Sequence, residues 1–225
     1  YLYIYASVVG SDNYTYRLYM VVTNYNAPKS ALGVRVLYMT RVQTLTYIDY
    51  ELTIEQVVTY NGNNTIDKAG VGQLASLSLK QNGEDVQIET IIRSANGIYY
   101  GISREYDENG IITSSQYYKF NLKQSSNVED NRAQVFESVD IELVPVTTYY
   151  SSDKSSYVDI DNDGNVLLIK NGDSYVNFSN MEYDSETDTY SYDVITSEGT
   201  EKYTLKIVDG KVVISLVETK TSTKE

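Results

Sequence analysis

Ile48-Asp49-Tyr50-Glu51-Leu52-Thr53-Ile54-Glu55 alternates without a break: Ile48, Tyr50, Leu52 and Ile54 fall on one side of an extended chain, and Asp49, Glu51, Thr53 and Glu55 on the other. Successive side chains of a strand point to opposite faces, so this stretch is a strand with one face toward a core and one toward water. The same period of two recurs before it at residues 14–23 and 34–40. After it come residues 74–80, 86–93, 98–104, 111–122, 135–144, 157–160, 166–170, 174–178, 189–195, 203–208 and 211–217. Between these runs, seven of the thirteen glycines follow Asn or Asp: Gly62, Gly83, Gly97, Gly110, Gly164, Gly172 and Gly210. Such pairs supply the positive φ angles that tight hairpins require.

No segment keeps a helical period over three turns, and residues 125–132 could make one short turn at most. The expectation is therefore an all-β chain built as an antiparallel β-sandwich, Ig-like or jelly-roll-like. Turn spacing tightens after Pro145, which divides the chain into an N-terminal strand (1–10), a β-sandwich domain (11–145) and a C-terminal β-meander (146–225). The meander is either a second domain or a continuation of the sandwich, with Tyr149-Tyr150-Ser151-Ser152-Asp153-Lys154-Ser155-Ser156 as linker or crossover. The Ser/Thr/Lys-rich tail at 219–225 has no packing pattern and reads as frayed.

Composition narrows function by subtraction. Histidine, cysteine and tryptophan are absent, which removes thiolate nucleophiles, imidazole bases and the usual zinc, copper and haem ligands. No enzyme is expected. A formal charge of −13, from 18 Lys+Arg against 31 Asp+Glu, argues against nucleic acid, because phosphate binding needs a basic footprint. No apolar run approaches a bilayer-spanning length. The first residue is Tyr1 and not Met, from which a removed secretion signal and a secreted or cell-surface location are expected. Tyrosine is the outlier, 24 residues against 3 Phe; such rings suit half-buried strands while keeping a hydroxyl for water.

The opening segment divides cleanly: Leu2, Ile4, Ala6 and Val8 make an aliphatic row, and Tyr1, Tyr3, Tyr5 and Ser7 the opposite one. Gly10, Ser11, Asp12 and Asn13 then form a polar hinge. The segment is either the first strand of its own sandwich or a strand given to a neighbour. An extended segment added to a sheet edge gains backbone hydrogen bonds, while pockets for alternate side chains fix its register.

In layout, an extended N-terminal segment followed by a Tyr-, Asn- and Thr-rich β-domain resembles extracellular filament subunits that join by donor-strand complementation, of the archaeal thread and bundling-pilus type. The resemblance covers the architecture of the whole chain without a diagnostic motif. It implies that Leu2, Ile4, Ala6 and Val8 insert into an acceptor groove, and that the partner is another copy of the chain. The alternative is a cell-surface adhesin or a module that binds glycans or proteins through exposed tyrosines. Doublets such as Tyr99-Tyr100, Tyr117-Tyr118 and Tyr149-Tyr150 place one ring on each face of a strand, so half should be core.

Three sequons mark candidate glycosylation sites at Asn13, Asn63 and Asn177, the first two in turns and the third within a strand. Asp159-Ile160-Asp161-Asn162-Asp163-Gly164 matches the first half of a calcium loop, making Asp159, Asp161 and Asp163 candidate calcium ligands. Lys170 stands where an EF-hand needs its bidentate Glu, so the competing reading is a solvated hairpin. No other cofactor is expected. The acidic cluster Glu182, Asp184, Glu186 and Asp188 reads as a solvated loop.

Overall fold

Asn82-Gly83 and Asp209-Gly210 each place two consecutive residues at positive φ, and each closes a two-residue hairpin. Turns of this kind shape the whole chain. The computed structural model describes residues 2–11, 13–23, 33–58, 74–94, 97–124 and 136–222. It is all-β, with three antiparallel sheets and no helix among the described residues.

The first sheet runs in chain order through β1 (Leu2–Val9), β2 (Thr15–Thr23), β3 (Gly33–Thr46), β4 (Tyr50–Val58), β5 (Leu74–Gln81) and β6 (Glu84–Asp85). The second has β7 (Thr90–Arg93), β8 (Tyr99–Tyr106), β9 (Ile112–Gln124), β10 (Phe136–Tyr150), β11 (Ser156–Asp161), β12 (Val166–Asn171) and β13 (Ser174–Tyr175). The third comprises β14 (Phe178–Asp184), β15 (Thr189–Thr196), β16 (Gly199–Val208) and β17 (Lys211–Thr221). Every neighbour in every sheet is also the neighbour in sequence. The expectation of an all-β, antiparallel, sandwich-like fold holds, while among the described residues the strand order is a succession of meanders without the crossovers of an Ig or jelly-roll fold. Short Asn/Asp-Gly turns account for this, since they return the chain only to an adjacent position.

Two compact units emerge, and both are discontinuous in sequence. Unit 1 comprises Tyr1–Ile91 and Phe120–Ile141; unit 2 comprises Ile92–Lys119 and Glu142–Glu225. The boundary expected at 145/146 therefore falls inside β10, and the stretch read as a linker is a hairpin turn. Tyr149 and Tyr150 still pair with Val158 and Tyr157, and the Ser151 amide donates to the Ser156 carbonyl at 2.9 Å. The Asp153 carboxylate accepts from the Ser151 hydroxyl at 2.7 Å and from the Ser155 hydroxyl at 2.7 Å, and those bonds hold its pKa down at about 2. Polar residues there build a turn, not a tether.

In unit 1 the core-facing alternation of β4 buries Leu52 and Ile54, with Leu77 and Leu79 of β5 and Phe120, Phe136 and Val139 of the returning strands also buried. Side chains lock that return in place. The buried Gln43 amide donates to the Phe136 carbonyl at 2.5 Å and accepts from its amide at 3.0 Å, while Tyr50 donates to the Val139 carbonyl at 2.9 Å. In unit 2, Val158, Ile160, Val166 and Ile169 on one face of the second sheet pack against Tyr190, Tyr192, Leu205 and Val212 of the third. The other face gathers Tyr100, Ile102, Tyr117, Tyr157 and Leu168, with Ile92 from β7 packing on the same cluster. Strands near opposite edges thus meet, so this sheet curls.

Several local expectations are corrected. The run at 48–55 forms a strand only from Tyr50, leaving Ile48 exposed in the turn before it, and Glu55 is buried where the alternation had it facing water. The run at 86–93 forms a strand only from Thr90, and the one at 174–178 divides into β13 and the start of β14. The tail is paired as far as Thr221, opposite Gly199. The short turn expected at 125–132, the Asn61-Gly62 pair and Asn63 lie outside the described residues.

Candidate functional site

β1 is the edge of the first sheet. It pairs with β2 in an unbroken antiparallel register from Leu2↔Val22 to Val9↔Thr15, folded back through a turn in which the Gly10 amide donates to the Tyr14 carbonyl at 2.9 Å. Both of its faces are nonetheless open: Leu2, Ile4 and Val8 are exposed on one, Tyr3 and Tyr5 on the other. Register explains the aliphatic row. Leu2 and Val8 sit beside Val22 and Tyr16, both buried, so the row extends a core-facing surface beyond the part that is covered. Leu2 is 52% exposed.

The tyrosine row is the end of a ladder. Tyr5, Tyr19 and Tyr38 are register neighbours on β1, β2 and β3, with ring centroids 5.6 Å apart in the first pair and 4.3 Å, stacked, in the second. Tyr19 donates at 2.7 Å to the Glu55 carboxylate. Glu55 also accepts from Thr40 at 2.5 Å, Ser76 at 3.1 Å and Arg17 at 2.8 Å, so side chains from three other strands, β2, β3 and β5, converge on it. Burial alone would raise the Glu55 pKa, but the hydrogen bonds from Thr40, Tyr19 and Ser76 and the Arg17 charge outweigh it and hold the carboxyl below its usual value. Burial and the bond to Glu55 push the Tyr19 phenol up to about 12.

Unit 2 holds a counterpart. Arg104 donates to both carboxylate oxygens of Asp159, at 2.7 and 3.4 Å, while Thr148 donates at 2.5 Å and Tyr117 completes the set. Burial, then the Asp159 charge and hydrogen bond, drive the Tyr117 phenol far above its ordinary pKa. Arg104 is held more firmly protonated, the Asp159 bond and charge outweighing the effect of burial. The side chains of Arg104 and Asp159 are 1% and 0% exposed, so no solute reaches them. The arrangement neutralises a buried charge and serves the fold.

The sequence grouped Asp159, Asp161 and Asp163; the structure does not bring them together. Asp159 is committed to Arg104. Asp161 caps its own turn, accepting from the Asp163 amide at 3.0 Å and the Asn165 amide at 2.8 Å. Asp107 does the same for Asn109 at 2.8 Å and Ile111 at 2.9 Å, ahead of Gly110. The calcium-like spelling is thus an Asx-capped hairpin turn that recurs where no calcium pattern exists. Among the described residues no group of three or more carboxylates is placed to hold a metal ion.

Asn13 is exposed at positive φ in the β1–β2 turn. Asn177 is exposed in the connection between β13 and β14, outside any strand, a correction to its expected position. The Tyr doublets divide unevenly. Tyr149 packs on one core of unit 2 and Tyr150 on the other, yet Tyr117 and Tyr118 are both buried. Also in unit 2, a groove of about 1330 Å³ opens between β7 and β13, lined by Arg93, Tyr100, Lys119, Glu142 and Tyr175 among others. Sequence reasoning missed both carboxylate clusters, whose members are scattered over 59 positions in unit 1 and 55 in unit 2, from Arg17 to Ser76 and from Arg104 to Asp159.

No family model, no curated protein and no solved structure matches this chain. No helix among the described residues is long and apolar enough to cross a membrane.

Proposed function

We propose that the chain is a structural subunit of an extracellular filament or pilus, assembling through β1 by β-strand addition to a neighbouring copy. The observation that carries this reading is an eight-residue edge strand without a charged side chain, exposed on both faces. Proteins ordinarily blunt such edges, because their unpaired backbone groups template pairing with another chain. Strand addition repeated head to tail gives an open-ended assembly. The surrounding chemistry fits a passive role: the two buried carboxylates are consumed by structural hydrogen bonds. The acidic surface keeps free copies apart until a specific contact forms.

The test compares the size of the intact protein with a form lacking residues 1–10, by light scattering across a concentration series. Polymers from the intact chain and a folded monomer from the truncated one are expected. An intact chain that stays monomeric throughout would overturn the proposal. A second reading, a glycan-binding module, is favoured by the unit 2 groove, whose lining includes the half-exposed Tyr175; binding on a glycan array that Tyr175→Ala abolishes would support it.

A further inference from the structure

Among the described residues the three sheets end in six edge strands, and they are not equally protected. β6 is two residues long and wholly acidic, β13 is two residues, and β7 is four and ends in Arg93. β14 is longer but breaks register between Ser179 and Glu182 and carries Glu182 and Asp184. Short length, charge and irregular register are the devices that stop edge-to-edge pairing. β1 lacks all three, and β17 confines them to its ends: Lys211 at its start, and a register break at Val217 followed by Glu218 and Lys220. β1 keeps an unbroken register over eight uncharged residues. β17, eleven residues long, is uncharged from 212 to 217, keeps regular register from 211 to 216, and exposes Val213 and Leu216.

We infer that β1 remains in its own sheet and pairs its free edge with the free edge of β17 in a second copy. This rests on the reading of β1 as an assembly strand and names its acceptor. Charge is the first argument for that occupant. Copies at −13 repel one another, so a stable contact must desolvate no carboxylate, and among the six edges only these two present uncharged runs long enough for several ladder bonds. Edge count is the second. β1 with β1 about a two-fold axis would leave every β17 open, whereas β1 with β17 satisfies both edges in one contact that repeats. Because the two patches differ, the contact is heterologous and propagates. The Tyr5–Tyr19–Tyr38 ladder also ends at the joining edge, where rings of the next strand can extend it.

Complementation tests the pairing. Ile4→Lys with Val8→Lys closes the β1 edge, and Val213→Lys with Leu216→Lys closes the β17 edge; all four positions are exposed, so folding survives. Each variant alone should be monomeric at concentrations at least about tenfold above those at which the wild type assembles, and a mixture of the two should give a one-to-one dimer and nothing larger. β17 variants that still dimerise would replace the proposal with a β1–β1 contact. Polymers from both variants would exclude both edges. A wild type that never assembles fails the functional reading itself, which the truncation experiment detects separately.

A lock then separates pairing in place from release of the strand. Ala6 and Leu18 are register partners, so Ala6→Cys with Leu18→Cys staples β1 to β2 in a chain that has no other cysteine. The oxidised protein should assemble as well as the wild type. Assembly restored only on reduction would overturn pairing in place in favour of a departing strand.

Discussion

Units 1 and 2 solve the same problem with the same residue types and reach different degrees of closure. Glu55 is met by Arg17, Tyr19, Thr40 and Ser76; Asp159 is met by Arg104, Tyr117 and Thr148, with Ser115 accepting from Arg104 at 2.7 Å. In unit 2 the arginine side chain is 1% exposed, in unit 1 it is 35%. The lesson is that a sheet can bury a carboxylate either sealed within a curl or just beneath an open face. Only the open version connects, through Tyr19 and Tyr5, to a free sheet edge.

The comparison breaks most visibly at Asp159. Asp159→Ala leaves Arg104 charged and buried, so unfolding in denaturant should show a loss of about 3–5 kcal/mol. Replacing both partners, Arg104→Met with Asp159→Leu, should recover most of that loss; a double variant no better than the single one would contradict the description of a sealed pair. Glu55→Gln should cost about 2 kcal/mol, because Arg17 keeps access to water when its partner is lost.

Acidity sharpens the same contrast. The folded Glu55 pKa lies below its unfolded value, so its contribution is fully present above about pH 4.5 and is lost as pH falls through the folded pKa. Tyr19 works in reverse: its phenol is raised, so its contribution is present below about pH 10 and is lost as pH rises toward 12. Stability profiles of the wild type and Glu55→Gln should therefore converge at low pH; curves that stay parallel down to pH 2 would remove Glu55 as the cause. The smallest effect belongs to Tyr5→Ala, expected below about 1 kcal/mol in the same melts because the ring ends the ladder at an exposed edge.

Much of the fold was legible because it is written in local signals. The alternation of residues 48–55 turned Leu52 and Ile54 inward, but its two ends misled: Ile48 precedes β4 and is fully exposed, and Glu55, read as facing water, is buried. Asn82-Gly83 and Asp209-Gly210 marked true hairpins. Domain boundaries were not legible. β9 and β10 each carry residues of both units, and no composition shift records where a continuous strand passes from one core to the next. The aliphatic row of β1 could be read directly, but its exposure could not, since exposure depends on what the sheet leaves uncovered. Glu55 and Asp159 were invisible for another reason. Their partners lie on separate strands, and register alone brings them together.

The central claim is that this chain builds an assembly through its strand edges. Negative-stain electron microscopy of the intact protein over a rising concentration series tests it most directly. Elongated polymers that vanish when residues 1–10 are removed are expected; single particles of monomer size at every concentration would contradict assembly through the strand edges.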